Sequence, residues 1–458
     1  MGKRLDAVFR RRPRELVGID IGTHSIKLVL LRQEKDGWHL VHASSVPFPP
    51  GVIVDGQIMD RELLTAHLQG LVRDAKVAGA KCAISVSGHA TIIKKITLPY
   101  MTLSELQDSI GWEAETYIPF DIKEVYLDVQ IVSGNEASGQ MDVLLTVVKK
   151  DLVNDLVQVA TAAGLKVVIA DLAQLSAIND LIFNGYTAPG ELIAYVDVGA
   201  NLTSLGVLNG NMLAFSRDIS TGSGTLTAAL RQNLNVRYEE AEHLKLLASR
   251  GEQVRPEVVE FSARVADVIA TEVMRSLDFF TATSINSDIK RVVVMGGGSA
   301  MPGLVEALER RIELPVKVVN SFGNVLLTAS QMFHLAAEIP SYAVAVGLAL
   351  RHEGDSAIDF SVQPGYRVNL MPQVPKKPKR SFLPKVLRND VQLHIWASPI
   401  AFALYLLFIL IAIANLGADI IGWLGPKPPA PVCESVCPNF TPLSTDTPKK
   451  PETLDLDR

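Results

Sequence analysis

Asp20, Gly22, Thr23, Ser25 and Lys27 crowd into one short turn of the stretch "VGIDIGTHSIKLVLL", between two apolar runs that read as strands. These residue types at this spacing suit a phosphate. Glycine lets backbone N–H groups approach anionic oxygens, the hydroxyls add donors, and the lysine supplies a point charge. Asp20, at the strand end, can hold water on a bound Mg²⁺, an ion that keeps part of its hydration shell. The pattern returns in "AYVDVGANLTSLGVL", which offers Asp197, Gly199, Asn201 and Thr203, again with an acid able to reach Mg²⁺ through water. A third element, "VVVMGGGSA", is a glycine turn opening a helix; Gly296, Gly297 and Gly298 permit close approach of a purine or sugar. Taken singly, each turn is compatible with a structural hairpin or loop. Together, in order and far apart in one chain, they point to two related halves facing a nucleotide.

The elements that must position these turns alternate. "LVGIDIG" and "SIKLVLLRQ" read as strands, "DRELLTAHLQGLVRDAKV" as an amphipathic helix, and "KCAISVSG" as a new strand. "VYLDVQIVSG" and "MDVLLTVVKK" form an antiparallel pair, and "KDLVNDLVQVATAAG" is a helix before the strand "LKVVIADLA". The second half repeats the scheme with a three-strand meander, a helix pair, one long helix and a final "YAVAVGLALR" helix. Mixed sheets with helical crossovers imply an α/β architecture, and the repeated hairpin implies duplication. At 458 residues the chain is too long for one core. A net charge of −5 gives no reason to expect nucleic-acid binding, and three cysteines, Cys82, Cys433 and Cys437, give no disulfide framework for the main body.

These motifs resemble the actin-like ATPase superfamily of sugar kinases, heat-shock chaperones, FtsA and PilM, over roughly residues 16–352. "DIGTHSIKLVLL", "DVGANLTSLGV", "EEAEHLK", "VVVMGGGSA" and "SYAVAVGLALR" look most like PilM-type proteins of type IV pilus assembly. The resemblance implies an actin-like fold of duplicated subdomains, with a small inserted subdomain at about 81–177. It implies ATP with Mg²⁺ in the cleft, held by the two turns, by Gly222, and by Glu242 and Lys245 near the adenosine with Gly296 to Ser299. His24 and Ser223 depart from the family's usual Ser/Thr and Gly. Hydrolysis needs a group that positions the attacking water; Asp197 is the nearest candidate, a Mg²⁺-water contact being its equal alternative, and the resemblance to PilM-type proteins implies ATP as a structural ligand with slow or absent hydrolysis.

Beyond residue 353 the composition turns to Pro, Lys and Arg, reading as a linker over 353–394. Within it, Val368, Asn369, Leu370, Met371 and Pro372 resemble the "INLLP" segment by which PilN-type membrane proteins dock into PilM. Fourteen residues run from Glu353 to Tyr366, a reach of roughly 45 Å, so docking onto its own chain or onto another copy is equally open. Residues 395–418 carry no charge, about 36 Å of helix and long enough to span a bilayer. Lys376, Lys377, Lys379, Arg380, Lys385 and Arg388 upstream outnumber Lys427 downstream, which predicts a cytoplasmic body and a short periplasmic tail, 419–458. The basic N-terminus lacks a secretory apolar run. The expected role is an inner-membrane platform component of a pilus machine. Its expected partners are PilN- and PilO-like proteins, motor ATPases or the platform protein, the lipid bilayer, and a second copy through residues 368–372. A GspL-like secretion protein, an FtsA-like filament former and an active kinase or ATPase remain alternatives. Cys433 and Cys437 could pair, stay free, or bridge to a second chain.

Overall fold

The structure, a computed structural model, describes residues 15–88, 90–352 and 367–371, all within one compact unit. The first hairpin joins β1 (Val17–Ile21) to β2 (Ser25–Glu34), with Asp20 directly opposite Lys27, and β3 (Gly37–Pro47) continues the meander. A two-residue hairpin, β4 (Ile53–Val54) and β5 (Gln57–Ile58), leads into α1 (Arg61–Asp74), whose start is fixed by the Asp60 carboxylate accepting the Leu63 N–H. Then β6 (Lys81–Val86) pairs parallel with β1, as a helical crossover allows.

An inserted subdomain follows. It holds β7 (Thr91–Pro99), α2 (Leu103–Glu115), β8 (Val125–Asn135) and β9 (Gln140–Lys149), with β9 central in a three-stranded antiparallel sheet. Its own core gathers Ile96, Leu106, Ile110, Val129 and Leu145. The insertion is therefore narrower than the expected 81–177. β6, α3 (Lys150–Ala162), β10 (Lys166–Leu172) and the start of α4 (Ala173–Phe183) belong to the first main subdomain, because β10 pairs parallel with β6.

The second half builds β11 (Leu192–Val198), β12 (Thr203–Asn209) and β13 (Met212–Ile219), then α5 (Gly224–Leu234), α6 (Tyr238–Ser249) and α7 (Pro256–Thr283). β14 (Ile289–Met295), α8 (Leu304–Ile312) and β15 (Val316–Val318) complete it, and the chain then returns to the first half with β16 (Val325–Leu326), α9 (Ala329–Leu335) and α10 (Ala343–Ala349). The sheets run β16-β3-β2-β1-β6-β10 and β13-β12-β11-β14-β15. From β3 and from β13 onward the order and sense of pairing coincide, so the duplication expected from the repeated hairpin is present. Among the described residues no single helix is long and apolar enough to cross a membrane. The expected span at 395–418, the basic cluster, the tail, Pro372, Cys433 and Cys437 lie outside the described residues.

Candidate nucleotide cleft and docked segment

The two hairpin turns are built alike. The Gly22 N–H donates to the Ser25 carbonyl at 3.1 Å, and the Gly199 N–H donates to the Leu202 carbonyl at 2.9 Å. Both turns open on one cavity of about 510 Å³ between the halves, lined by Asp20, Gly22, Thr23, Ser25 and Lys27 from the first turn. Asp197, Gly199 and Asn201 face them from the second, with Glu242 and Lys245 on α6 and Gly296 to Ser299 after β14. Residues more than two hundred positions apart in sequence are thus brought to one wall.

Thr203 and Gly222 lie behind that wall. Side chains alternate along a strand, and in the register of β11 with β12 it is Ser204 that lies opposite Asp197, while Thr203 lies opposite Val198. Thr203 is fully buried, and its hydroxyl donates to the Thr221 carbonyl at 2.6 Å. Gly222 packs on the carbonyls of Gly199 and Ala200; the neighbouring Ser223 N–H donates to the Gly199 carbonyl, pinning α5's start to the turn.

The electrostatics favour a bound cation. Asp20 accepts the Ser85 hydroxyl at 2.8 Å and lies 3.5 Å from the Lys27 ammonium. Burial raises the Asp197 carboxyl to about 6, the nearby Asp20 and Asp218 charges push the same way, and Lys27 opposes them. Two acids lining one cavity, each felt by the other's charge, suit a divalent ion with its water. Gly296 has φ +87°, and a Cβ there would overlap the Asp197 carboxylate and the Val198 carbonyl, so only glycine lets the third turn come this near. The residues present fit Mg²⁺-nucleotide.

On the other wall the Glu242 carboxylate accepts Lys245 at 2.6 Å and the Thr227 hydroxyl at 2.7 Å. Burial would raise Glu242, but the Lys245 charge and these hydrogen bonds hold it below its ordinary value. His24 crosses the cleft to it, Nε2 at 3.4 Å from the carboxylate, and Nδ1 lies 3.4 Å from the Tyr238 hydroxyl. Burial lowers the His24 pKa, with Glu242 pulling the other way. Sequence reasoning missed Ser85, Ser204, Gln174 and Asp218. The last three form a chain at the cavity, Gln174 and Ser204 both donating to Asp218 Oδ1, at 2.6 and 2.8 Å. Strand alternation, known once the register is fixed, marks Ser85, Ser204 and Asp218, whereas Gln174 is brought there by the first turn of α4.

Residues 367–371 dock against the free edge of β10. The register slips between Val167 and Ile169, leaving Val168 without a partner on β6. Its carbonyl instead accepts the Asn369 side-chain amide at 3.2 Å. The Ala170 N–H donates to Asn369 Oδ1 at 3.1 Å, and the Leu370 N–H returns to the Ala170 carbonyl at 2.7 Å. Asn369 N–H donates to Asp128 Oδ2 at 2.8 Å, and Arg367 N–H to Gln130 Oε1 at 3.1 Å. Arg351 binds the Val368 carbonyl at 3.0 Å and pairs with buried Asp171. Val368 and Leu370 enter the core of the first half, 0% and 1% exposed, each burial worth about 1.5–3 kcal/mol. Met371 packs partly buried beside them.

Among known proteins, similarities of different extent are found. The structure of a PilM-PilN type IV pilus biogenesis complex superposes with a TM-score of 0.65 at 27% identity, covering 74% of this chain and 99% of that one. The ethanolamine utilization protein EutJ from Carboxydothermus hydrogenoformans gives 0.47 at 17% identity, covering 74% and 90%. The cell division protein FtsA of Rhizobium meliloti (strain 1021) is 25% identical over 180 residues, 34% of this chain, and the match spans 39% of that protein. The family model described as type IV pilus assembly protein PilM matches residues 18–353, and with an actin-like body duplicated around its cleft the chain belongs to the PilM family.

Proposed function

We propose that this protein is an inner-membrane platform component of a type IV pilus machine, a Mg-ATP-holding body that scaffolds a PilN-like partner interaction. The observation that carries the nucleotide reading is the cavity with an acid from each hairpin turn and Lys27 on one wall. Asp20 and Asp197 would hold Mg²⁺ through its water, Lys27 and the turn backbones would take the phosphates, and Glu242 and Lys245 would face the ribose and base. The nucleotide, when bound, supplies charge and bulk that hold the two halves in one closed arrangement. Phosphoryl transfer depends on positioning, and Asp197 could either orient a water or hold Mg²⁺ through water; the likeness to PilM-type proteins supports the second role, with ATP as a structural ligand. Membrane attachment through 395–418, with the body cytoplasmic and the tail periplasmic, belongs to the same proposal and rests on the uncharged run and the lysine and arginine asymmetry. PilO-like proteins, motor ATPases and the platform protein are the further partners of this reading.

Binding of a fluorescent ATP analogue to the full chain, with and without Mg²⁺, tests it. Micromolar binding that weakens at least tenfold in Lys27→Ala and Asp197→Asn, with product formation below one turnover per minute, is expected as an order-of-magnitude outcome. Binding indifferent to both substitutions sinks it. The likeness to FtsA supports a second reading as a filament former; sedimentation of the protein with Mg-ATP but not without it would favour that role.

A further inference from the structure

We infer that residues 367–371 fill this chain's own peptide groove, so that a second segment of the same Val-Asn-Leu-Met pattern, on another chain, binds only by displacing the internal one. This inference rests on the docked segment alone and stands whether or not the cleft holds nucleotide. β10 is an edge strand, and an open edge presents unpaired N–H and C=O groups to any passing strand. Here three of those groups, at Val168 and Ala170, are taken by the segment. Ala170 gives its N–H to the Asn369 side chain and accepts from Leu370, while the bulged Val168 carbonyl accepts the same asparagine's amide.

The fit is particular to the segment. Asn369 uses Oδ1 as a double acceptor, from Ala170 and from its own neighbour Met371, while its Nδ2 and its backbone N–H both donate. Aspartate lacks the donor, and leucine lacks both. Val368 and Leu370 occupy the apolar space on either side, and Arg351, anchored on Asp171, clamps the carbonyl between them. A groove whose hydrogen bonds and apolar volume are both used has no free place for an incoming peptide of the same pattern. A tethered segment also acts at a high effective concentration, which raises the bar for any competitor in solution.

The test uses the full chain in mild detergent and a dye-labelled peptide of residues 364–376. Wild type is expected to bind the peptide at least tenfold more weakly than Asn369→Ala/Leu370→Ala, in which the internal segment is released. Adding Asp128→Ala to that double variant should remove the gained binding, which locates the peptide in the groove. Hydrogen exchange on the wild-type chain supplies a readout that no variant's folding affects: the Asn369 and Leu370 amides should be protected. Unprotected amides, equal peptide binding by wild type and double variant, or a double variant that binds no peptide would each overturn the inference.

Discussion

Asp128 lies within the protein under the docked segment, and its protonation has a sign that can be checked. Burial lifts its carboxyl from an ordinary 3.8 to about 6, against the Asn369 and Val129 N–H groups and the Arg351 charge, which favour the anion. A folded-state pKa above the unfolded one means the native chain binds more protons between about 4 and 6. This contribution to stability is present below that window and is lost as pH rises through 6. The urea midpoint of wild type should therefore fall between pH 5 and pH 7 by more than that of Asp128→Asn; an equal fall in both would refute the assignment. Cys82 gives a second check. It is fully buried on β6, and burial pushes its thiol up to about 12. Peptide mapping after iodoacetamide at pH 8 should find it unmodified in the native chain and alkylated in urea. At the cleft, Gly296→Ala should abolish nucleotide binding and also lower the urea midpoint, because the new Cβ meets the Asp197 carboxylate and the Val198 backbone carbonyl at a φ of +87°.

Among the elements, α10 carries the tightest constraint. It runs beneath the first sheet, and Gly347 brings it so close to α4 that a Cβ there would overlap the Ser176 carbonyl oxygen. Gly18 on β1 meets the Ala345 and Ala349 backbone in the same way from the other side. Gly347→Ala should then cost about 1–3 kcal/mol by overpacking, read from denaturant unfolding, despite alanine's better helix propensity. The inserted subdomain answers to local signals instead. Thr102 and Glu105 form a reciprocal capping box at the start of α2, with the Thr102 N–H on the Glu105 carboxylate at 2.8 Å. Thr102→Ala should cost about 1 kcal/mol, seen as faster amide exchange in residues 103–115 and nowhere in the two large halves.

Across the whole molecule, distant parts of the chain converge on a few buried polar links. Arg351, just past α10, joins Asp171 on β10 and the Val368 carbonyl, so one guanidinium ties the last helix, the sheet edge and the docked segment. Both side chains are almost wholly buried, so removing one leaves the other uncompensated. Arg351→Ala should lose about 3–5 kcal/mol, whereas Arg351→Met with Asp171→Leu should recover most of it. The double variant failing to exceed the single one in urea midpoint would show that the pair adds net stability. His24 and Glu242 link the two halves across the cleft, and nucleotide in excess should raise the unfolding temperature, by about 2.7 kcal/mol of stabilisation at a hundredfold Kd.

By itself the sequence determined the halves, their repeated hairpins and most of the cleft. Phosphate-turn chemistry is local: an acid, a glycine and hydroxyls between two apolar strands specify the turn wherever it folds, as at Asp20 to Lys27 and Asp197 to Asn201. Val368, Asn369 and Leu370 stood out in the sequence through their resemblance to a known docking segment, not through local chemistry. Register and long-range pairing were not legible, because a shift of one residue exchanges the faces of a strand without changing composition. That is why Ser204 rather than Thr203 opens on the cleft, and why β6 and β10 belong to the first sheet rather than to the insertion. Whether residues 367–371 meet their own chain was likewise beyond local pattern. Tertiary structure decided it through Asp128, Asp171 and Arg351, polar residues spread over more than two hundred positions that gain meaning only where the fold buries them together.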